Sequence, residues 1–237
     1  MADQVETRSG GDGHFVLVLP GFTAGDWSNL PLAAVLRRAG VKPKRWRLGS
    51  NQGPTGEIVA GLDQRLRDLY EREGRKVSVI GVSLGGIYAR RLGRDHPELV
   101  RQVITIGSPF RFHGVGRSAT VQRIWESRLG DFDPAFVDEM YTDEDLKEPF
   151  GMPVTSIYTR NDDVVRWQQC LLAHGDQSQN IEIRGANHIG LVAHPGVHYA
   201  IHDRVRQPDG AWNRFRAPAR FGIWYRRAEI YDPELRS

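Results

Sequence analysis

Short apolar runs separated by amphipathic helical stretches are the feature that most narrows the folds open to this chain. HFVLVLP at residues 14–20 is continuously apolar and stopped by Pro-Gly, the pattern of a strand buried on both faces. Runs of the same kind follow at KRWRL (44–48), VSVIGV (77–82), VITIG (103–107), VTSIY (154–158) and IEI (181–183), each followed by glycine, serine or a polar loop. Helical periodicity fills the gaps. Ile58, Leu62, Leu66 and Leu69 share one face of a helix over 55–73 that Gly74 stops, and Leu32, Val35 and Leu36 do the same over 28–39 ahead of Gly40. Strands alternating with helices imply right-handed crossovers, hence an α/β fold with a mostly parallel central sheet of about six strands and helices on both faces.

A chain of 237 residues, 40% of them apolar, can bury one large domain, expected over residues 14–206 behind a flexible, polar N-terminus at 1–13. The interval 110–150 is too long for an ordinary crossover. It carries amphipathic material, SATVQRIWESRL and DPAFVDEMY, and is expected to form a helical cap insertion. Residues 207–237 form an aromatic-rich arm with Trp212, Phe215, Phe221, Trp224, Tyr225 and Tyr231. Aromatics at that density belong against the body or against a partner subunit, so the arm is also a candidate contact for a homo-oligomer.

Charge argues against nucleic acid as a partner: 32 Lys and Arg are interspersed with 29 Asp and Glu, for a formal net charge of +3 and no basic run. The single cysteine, Cys170, forms no internal disulfide, the N-terminal MADQVETRSGGDG has no secretory pattern, and no stretch approaches a membrane span. A reducing cytoplasm is the expected location.

GVSLGG at 81–86 carries the chemistry. A buried strand runs straight into G-x-S-x-G, and LGGIYARRLGRDHP, with Leu84, Ile87, Tyr88, Arg91 and Leu92 at helical spacing, follows it. A Gly-Ser turn that merely joins a strand to a helix would look similar. The alternative is a nucleophilic Ser83, which needs a base and a carboxylate to orient that base. Both occur at strand ends downstream. TRNDDVVRW places Asp162 and Asp163 after one strand, and RGANHIGL places His188 after the next. Either aspartate could cap the segment that follows; Asp162 is expected to face the histidine and Asp163 to cap. His194, His198 and His202 lie four apart and are rival bases, but no carboxylate or cysteine completes a metal set with them, so no metal or cofactor is expected.

An acyl-transfer site also needs oxyanion donors. In LPGFTAGDW the sharp Pro20-Gly21 turn leaves the backbone N–H of Phe22 to pair with that of Leu84. Trp27, Phe110 and the Phe22 ring are expected to give a substrate pocket apolar walls.

These residues resemble the α/β-hydrolase superfamily over about 14–206. SIYTRNDDVV and NIEIRGANHIGL are similar to the catalytic-acid and histidine segments of small bacterial lipases, and VLPGF and GVSLGG to their oxyanion loop and nucleophile elbow. The resemblance implies Ser83 as nucleophile, Asp162 as orienting acid, His188 as base, and Phe22 and Leu84 as oxyanion donors. It departs from those lipases at Val82, where they commonly carry histidine, in lacking a secretory signal, and in the 110–150 insertion. An intracellular carboxylesterase acting on a soluble or moderately apolar small-molecule ester fits these features. An acyltransferase or thioesterase would use the same residues, and a hydrolase-fold binding protein would use none of them catalytically.

Overall fold

The computed structural model describes residues 12–111, 118–140 and 150–228. Seven strands make one sheet: β1 (Phe15–Leu19), β2 (Lys42–Arg45), β3 (Val77–Val82), β4 (Val100–Ile106), β5 (Val154–Tyr158), β6 (Ser178–Ile183) and β7 (Tyr225–Arg226). Their spatial order is β2-β1-β3-β4-β5-β6-β7. All neighbours are parallel except β7, which runs antiparallel to β6 with Ile183 opposite Tyr225.

Every residue of β1, β4 and β5 is buried because helices cover both faces. On one face α2 (Gly56–Glu73) and α3 (Leu84–Asp95) bring Leu62, Leu66, Leu69, Tyr88 and Leu92 against Leu17 and Val79. On the other, α1 (Leu30–Arg38) and α6 (Pro195–Arg206) bring Leu32, Leu36, Val197 and Ile201 against Val16, Val18 and Ile104. The start and stop of α2 follow its ends: Thr55 Oγ1 accepts from Ile58 N–H at 3.3 Å, and Gly74 closes the helix at φ 69°. Between β4 and β5, α4 (Ala119–Glu126) and α5 (Pro134–Met140) pack on the α2–α3 side through Trp125, Phe132 and Phe136. Among the described residues no helix is long and apolar enough to cross a membrane.

Three features differ from the sequence reading. The run expected as a strand at 44–48 is shifted: β2 ends at Arg45, and Trp46 leaves the strand to bury its ring and donate its indole N–H to the Gly49 carbonyl at 3.0 Å. Lysines and Pro43 suit an edge position, paired on one side only. The seventh strand comes from the aromatic C-terminal segment, in which Phe215 packs against Tyr199 and Tyr225; residues 229–237, Tyr231 included, lie outside the described residues.

The third difference concerns the N-terminus expected to be flexible. Residues 1–11 lie outside the described residues, but Asp12 is fixed at the base of the sheet. Its Oδ1 accepts from His14 Nδ1 at 2.6 Å, and its Oδ2 accepts from Arg101 at 2.8 Å. His14 Nε2 meets Ser78 Oγ at 2.8 Å, and Ser78 Oγ accepts from Gln102 at 3.2 Å. Arg101 also donates to the carbonyl of Gln207, tying β4 to the chain beyond α6. Asp12, His14 and Ser78 thus repeat the residue types of a catalytic triad, with His14 and Ser78 wholly buried. This constellation joins β1, β3, β4 and the end of α6.

Burial would raise the pKa of Asp12, but its hydrogen bonds with Arg101 and His14 outweigh that and hold the carboxyl well below the usual carboxylate range. A carboxyl lowered on folding stabilises above its unfolded pKa, and the contribution is lost as pH falls toward the folded value. Asp12→Asn is therefore expected to cost about 1 kcal/mol at neutral pH, reduced by its partial exposure. Urea unfolding should show the gap to wild type closing as pH drops below about 4.

Candidate active site

Ser83 stands where β3 turns into α3, at φ 51° and ψ −121°, a backbone region that non-glycine residues rarely occupy. The turn is possible because the chain packs on itself without side chains. A Cβ on Gly81 would overlap the Gly85 carbonyl, one on Gly85 would lie 2.5 Å from the Leu19 carbonyl oxygen, and one on Gly86 would overlap Ser108. Ser83 N–H donates to the Ile106 carbonyl at 2.8 Å, fixing the turn to the end of β4. The first turn of α3 directs its free N–H groups and positive dipole end toward the serine.

The loop after β1 meets this turn. A Cβ on Gly21 would lie 3.3 Å from Ser83 Cβ. Thr23, at φ 62°, donates its N–H to the Asn51 carbonyl at 2.7 Å, and Asn51 N–H donates to Ala24 at the same distance. The buried Asn51 side chain donates to the Pro20 carbonyl at 2.9 Å and accepts from Tyr88 Oη, on α3, at 3.2 Å. Asn51 therefore fixes the loop carrying Phe22 to the helix that carries Leu84. Neither Phe22 N–H nor Leu84 N–H donates to a backbone carbonyl among the described residues.

Asp162 follows β5 and is buried. Its Oδ1 accepts from Val164 and Val165 N–H at 2.9 and 2.8 Å, while its Oδ2 lies 2.7 Å from His188 Nδ1. The division of labour expected between the two aspartates is thus not observed. Asp162 both organises its own loop and engages the histidine, and Asp163 instead accepts from the backbone N–H of His188 at 3.2 Å. No helix needs a cap there, since VVRWQQCLL forms only a 3-10 turn at Trp167–Cys170.

The His188 ring rests on Gly107, where a Cβ would come within 3.3 Å of Nδ1. Gly107 is the residue after the carbonyl that holds Ser83 N–H, so nucleophile loop and histidine meet at the end of β4. Among the described residues no hydrogen bond joins Ser83 Oγ to the imidazole. Two of the rival histidines are engaged elsewhere. His194 accepts from Gly196 N–H at the start of α6, and His198 donates to the Val192 carbonyl at 2.7 Å. Among the described residues no group of His, Cys, Asp and Glu could hold a metal ion.

Ser83 opens into a cavity of about 570 Å³, counting its open mouth. Phe22, Leu84, Ile87, Pro109, Val164 and Val165 line it from the body, and Val121, Trp125 and Met140 from the segment between β4 and β5. Two residues expected in its walls are not there. Trp27 is 72% exposed on a 3-10 turn at Asp26–Asn29, which Asp26 ties to the end of β2 by accepting from Trp46 N–H at 3.0 Å. Phe110 points into the core, with the Arg90 guanidinium 4.2 Å from its ring centroid, and leaves Pro109 facing the cavity. Trp125 takes the place assigned to them, 5.4 Å from the Phe22 ring centroid and 4.6 Å from that of Phe132.

No family model matches the chain, and no curated protein matches it. Solved structures do. The Paleococcus ferrophilus monoacylglycerol lipase aligns over 81% of this chain and 93% of its own, with TM-score 0.60 and 16% identity. Naproxen esterase (carboxylesterase NP) from Bacillus subtilis aligns over 83% of this chain and 84% of its own, with TM-score 0.55 and 16% identity. The 2-hydroxy-6-oxo-6-phenylhexa-2,4-dienoate hydrolase of Rhodococcus sp. strain RHA1 aligns over 81% of this chain and 91% of its own, with TM-score 0.55 and 15% identity. At these identities the likeness establishes the α/β-hydrolase fold.

The backbone at Ser83 stores strain that glycine would not feel. Ser83→Gly is expected to raise stability to urea by about 1 kcal/mol after the entropy of the unfolded glycine is counted, whereas Ser83→Ala, which keeps Cβ, should leave it unchanged.

Proposed function

We propose that this protein is a serine carboxylester hydrolase working through an acyl-enzyme. The observation that carries the reading is the 2.7 Å contact between Asp162 and His188, whose ring lies beside Gly107, next to the Ile106 carbonyl that holds the Ser83 N–H. The contact from Asp162 fixes the tautomer with hydrogen on Nδ1 and leaves Nε2 as the basic nitrogen. With substrate bound, Nε2 takes the Ser83 proton as Oγ attacks the ester carbonyl, a contact that tightens only in the complex. The N–H groups of Phe22 and Leu84 hold the tetrahedral oxyanion, a pair of donors worth about 3 kcal/mol each in such sites. Collapse expels the alcohol, which takes the proton from His188. Water then enters, gives its proton to His188, attacks the acyl carbon and releases the acid with Ser83 restored.

A cavity wall made mostly of aliphatic and aromatic side chains favours a largely apolar acyl group, and the segment between β4 and β5 acts as the cap that shields it. The single cysteine is buried and unpaired, which suits a reducing compartment such as the cytoplasm.

Ser83→Ala is expected to lower kcat/KM for p-nitrophenyl esters by at least about 10³-fold, and Asp162→Asn by about 10³- to 10⁴-fold through the wrong histidine tautomer. Retention of wild-type turnover by Ser83→Ala would overturn the reading. A fluorophosphonate that labels wild type but not that variant separates an enzyme from a binding protein on the same fold.

A further inference from the structure

Most of the cavity wall is hydrocarbon, yet two of the residues that line it carry buried N–H donors with no partner among the described residues. Gln169, 5% exposed, sits in the 3-10 turn after β5. Its Oε1 accepts from Arg166 N–H at 3.3 Å, which fixes the carbonyl end of the amide and turns Nε2 elsewhere. Among the described residues Nε2 has no hydrogen-bond partner. Trp125, 8% exposed in α4, is in the same position: its indole Nε1 is buried and unpartnered. Both side chains line the cavity that holds Ser83. Tertiary structure supplied each from a different side, one from the loop next to Asp162 and one from the segment between β4 and β5.

Buried donors without acceptors are costly and uncommon, and they occur where a ligand completes them. A purely aliphatic acyl chain would leave both unsatisfied in the complex. A chain with an oxygen at the right depth would satisfy them. We propose that Gln169 Nε2 and Trp125 Nε1 form a polar subsite for an acceptor oxygen, carbonyl or ether, in the acyl group beyond the scissile ester, so that the preferred substrates are oxygenated rather than plain fatty esters. The inference rests on the serine-hydrolase reading above and names the substrate class of the same site. Specificity of this type is strong because the wrong substrate leaves protein donors unpaired.

The test compares p-nitrophenyl hexanoate with its 4-oxa and 5-oxa analogues, in which one methylene is replaced by ether oxygen, each rate being divided by that for hydroxide hydrolysis of the same ester. Wild type is expected to favour at least one oxa analogue by about tenfold in kcat/KM. Gln169→Met and Trp125→Phe should each reduce that ratio, and the double variant should bring it to one or below. A merely structural role for either residue would move all three esters alike and leave the ratio intact. Binding of the same esters to Ser83→Ala, followed by tryptophan fluorescence or calorimetry, reads the preference without turnover. Equal treatment of the three esters by wild type, or a ratio that survives the double variant, would overturn the subsite while leaving the hydrolase reading in place. If no ester is turned over but the oxa preference persists in binding, the hydrolase reading fails and the subsite stands.

Discussion

The arrangement depends on one steric condition: backbone must touch backbone where β3 becomes α3. Gly81 lies against the Gly85 carbonyl, Gly85 against the Leu19 carbonyl, and Gly86 against Ser108, so that a methyl group at any of these positions would force the turn open. With the turn closed, Ser83 is held at positive φ, the start of α3 faces it, and the loop after β1 is drawn alongside through Gly21. Asn51 then connects that loop to α3 through Pro20 and Tyr88. The strained serine is stable because neighbouring groups on β1, β4 and α3 over-determine it.

A second pair of contacts brings the histidine to the same place. Asp162 leaves β5 and His188 follows β6, and each reaches the rim because the parallel strands all deliver their carboxyl ends to one edge of the sheet. Gly107 gives the imidazole room beside the end of β4. The buried Asp12-His14-Ser78 series at the opposite edge makes the point by contrast. It has the same residue types, with aspartate, histidine and serine in direct contact, but its histidine and serine are closed to solvent, and it serves to clamp strands together. Residue type and spacing alone do not make a site; the open end of the sheet does.

How much was legible in the sequence follows from the range over which each feature is determined. Strands buried on both faces, such as β1, β4 and β5, are continuous apolar runs and could be read locally, as could the face of α2 and the order of Ser83, Asp162 and His188 along the chain. β7 is two residues long and exists only because β6 offers it an edge, so no local pattern announced it. β2 was displaced because Trp46 gains more by burial than by staying in an edge strand. The pocket walls were the least legible part. Trp27 and Phe110 are aromatic and near the motif, but one stands exposed on a 3-10 turn and the other packs inward on Arg90. Trp125, Met140 and Gln169 reach the cavity only through tertiary packing. Asn51 could have been suspected from its place in SNQG, yet its partners on two other elements could not.

The most direct measurement of the central claim is the site of covalent acylation. When p-nitrophenyl hexanoate is mixed with the intact chain and quenched in acid during turnover, mass spectrometry should find one hexanoyl group per chain on the peptide bearing Ser83, and none on Ser78. Ester hydrolysis without any acylated serine, or an acyl group carried elsewhere, would contradict it.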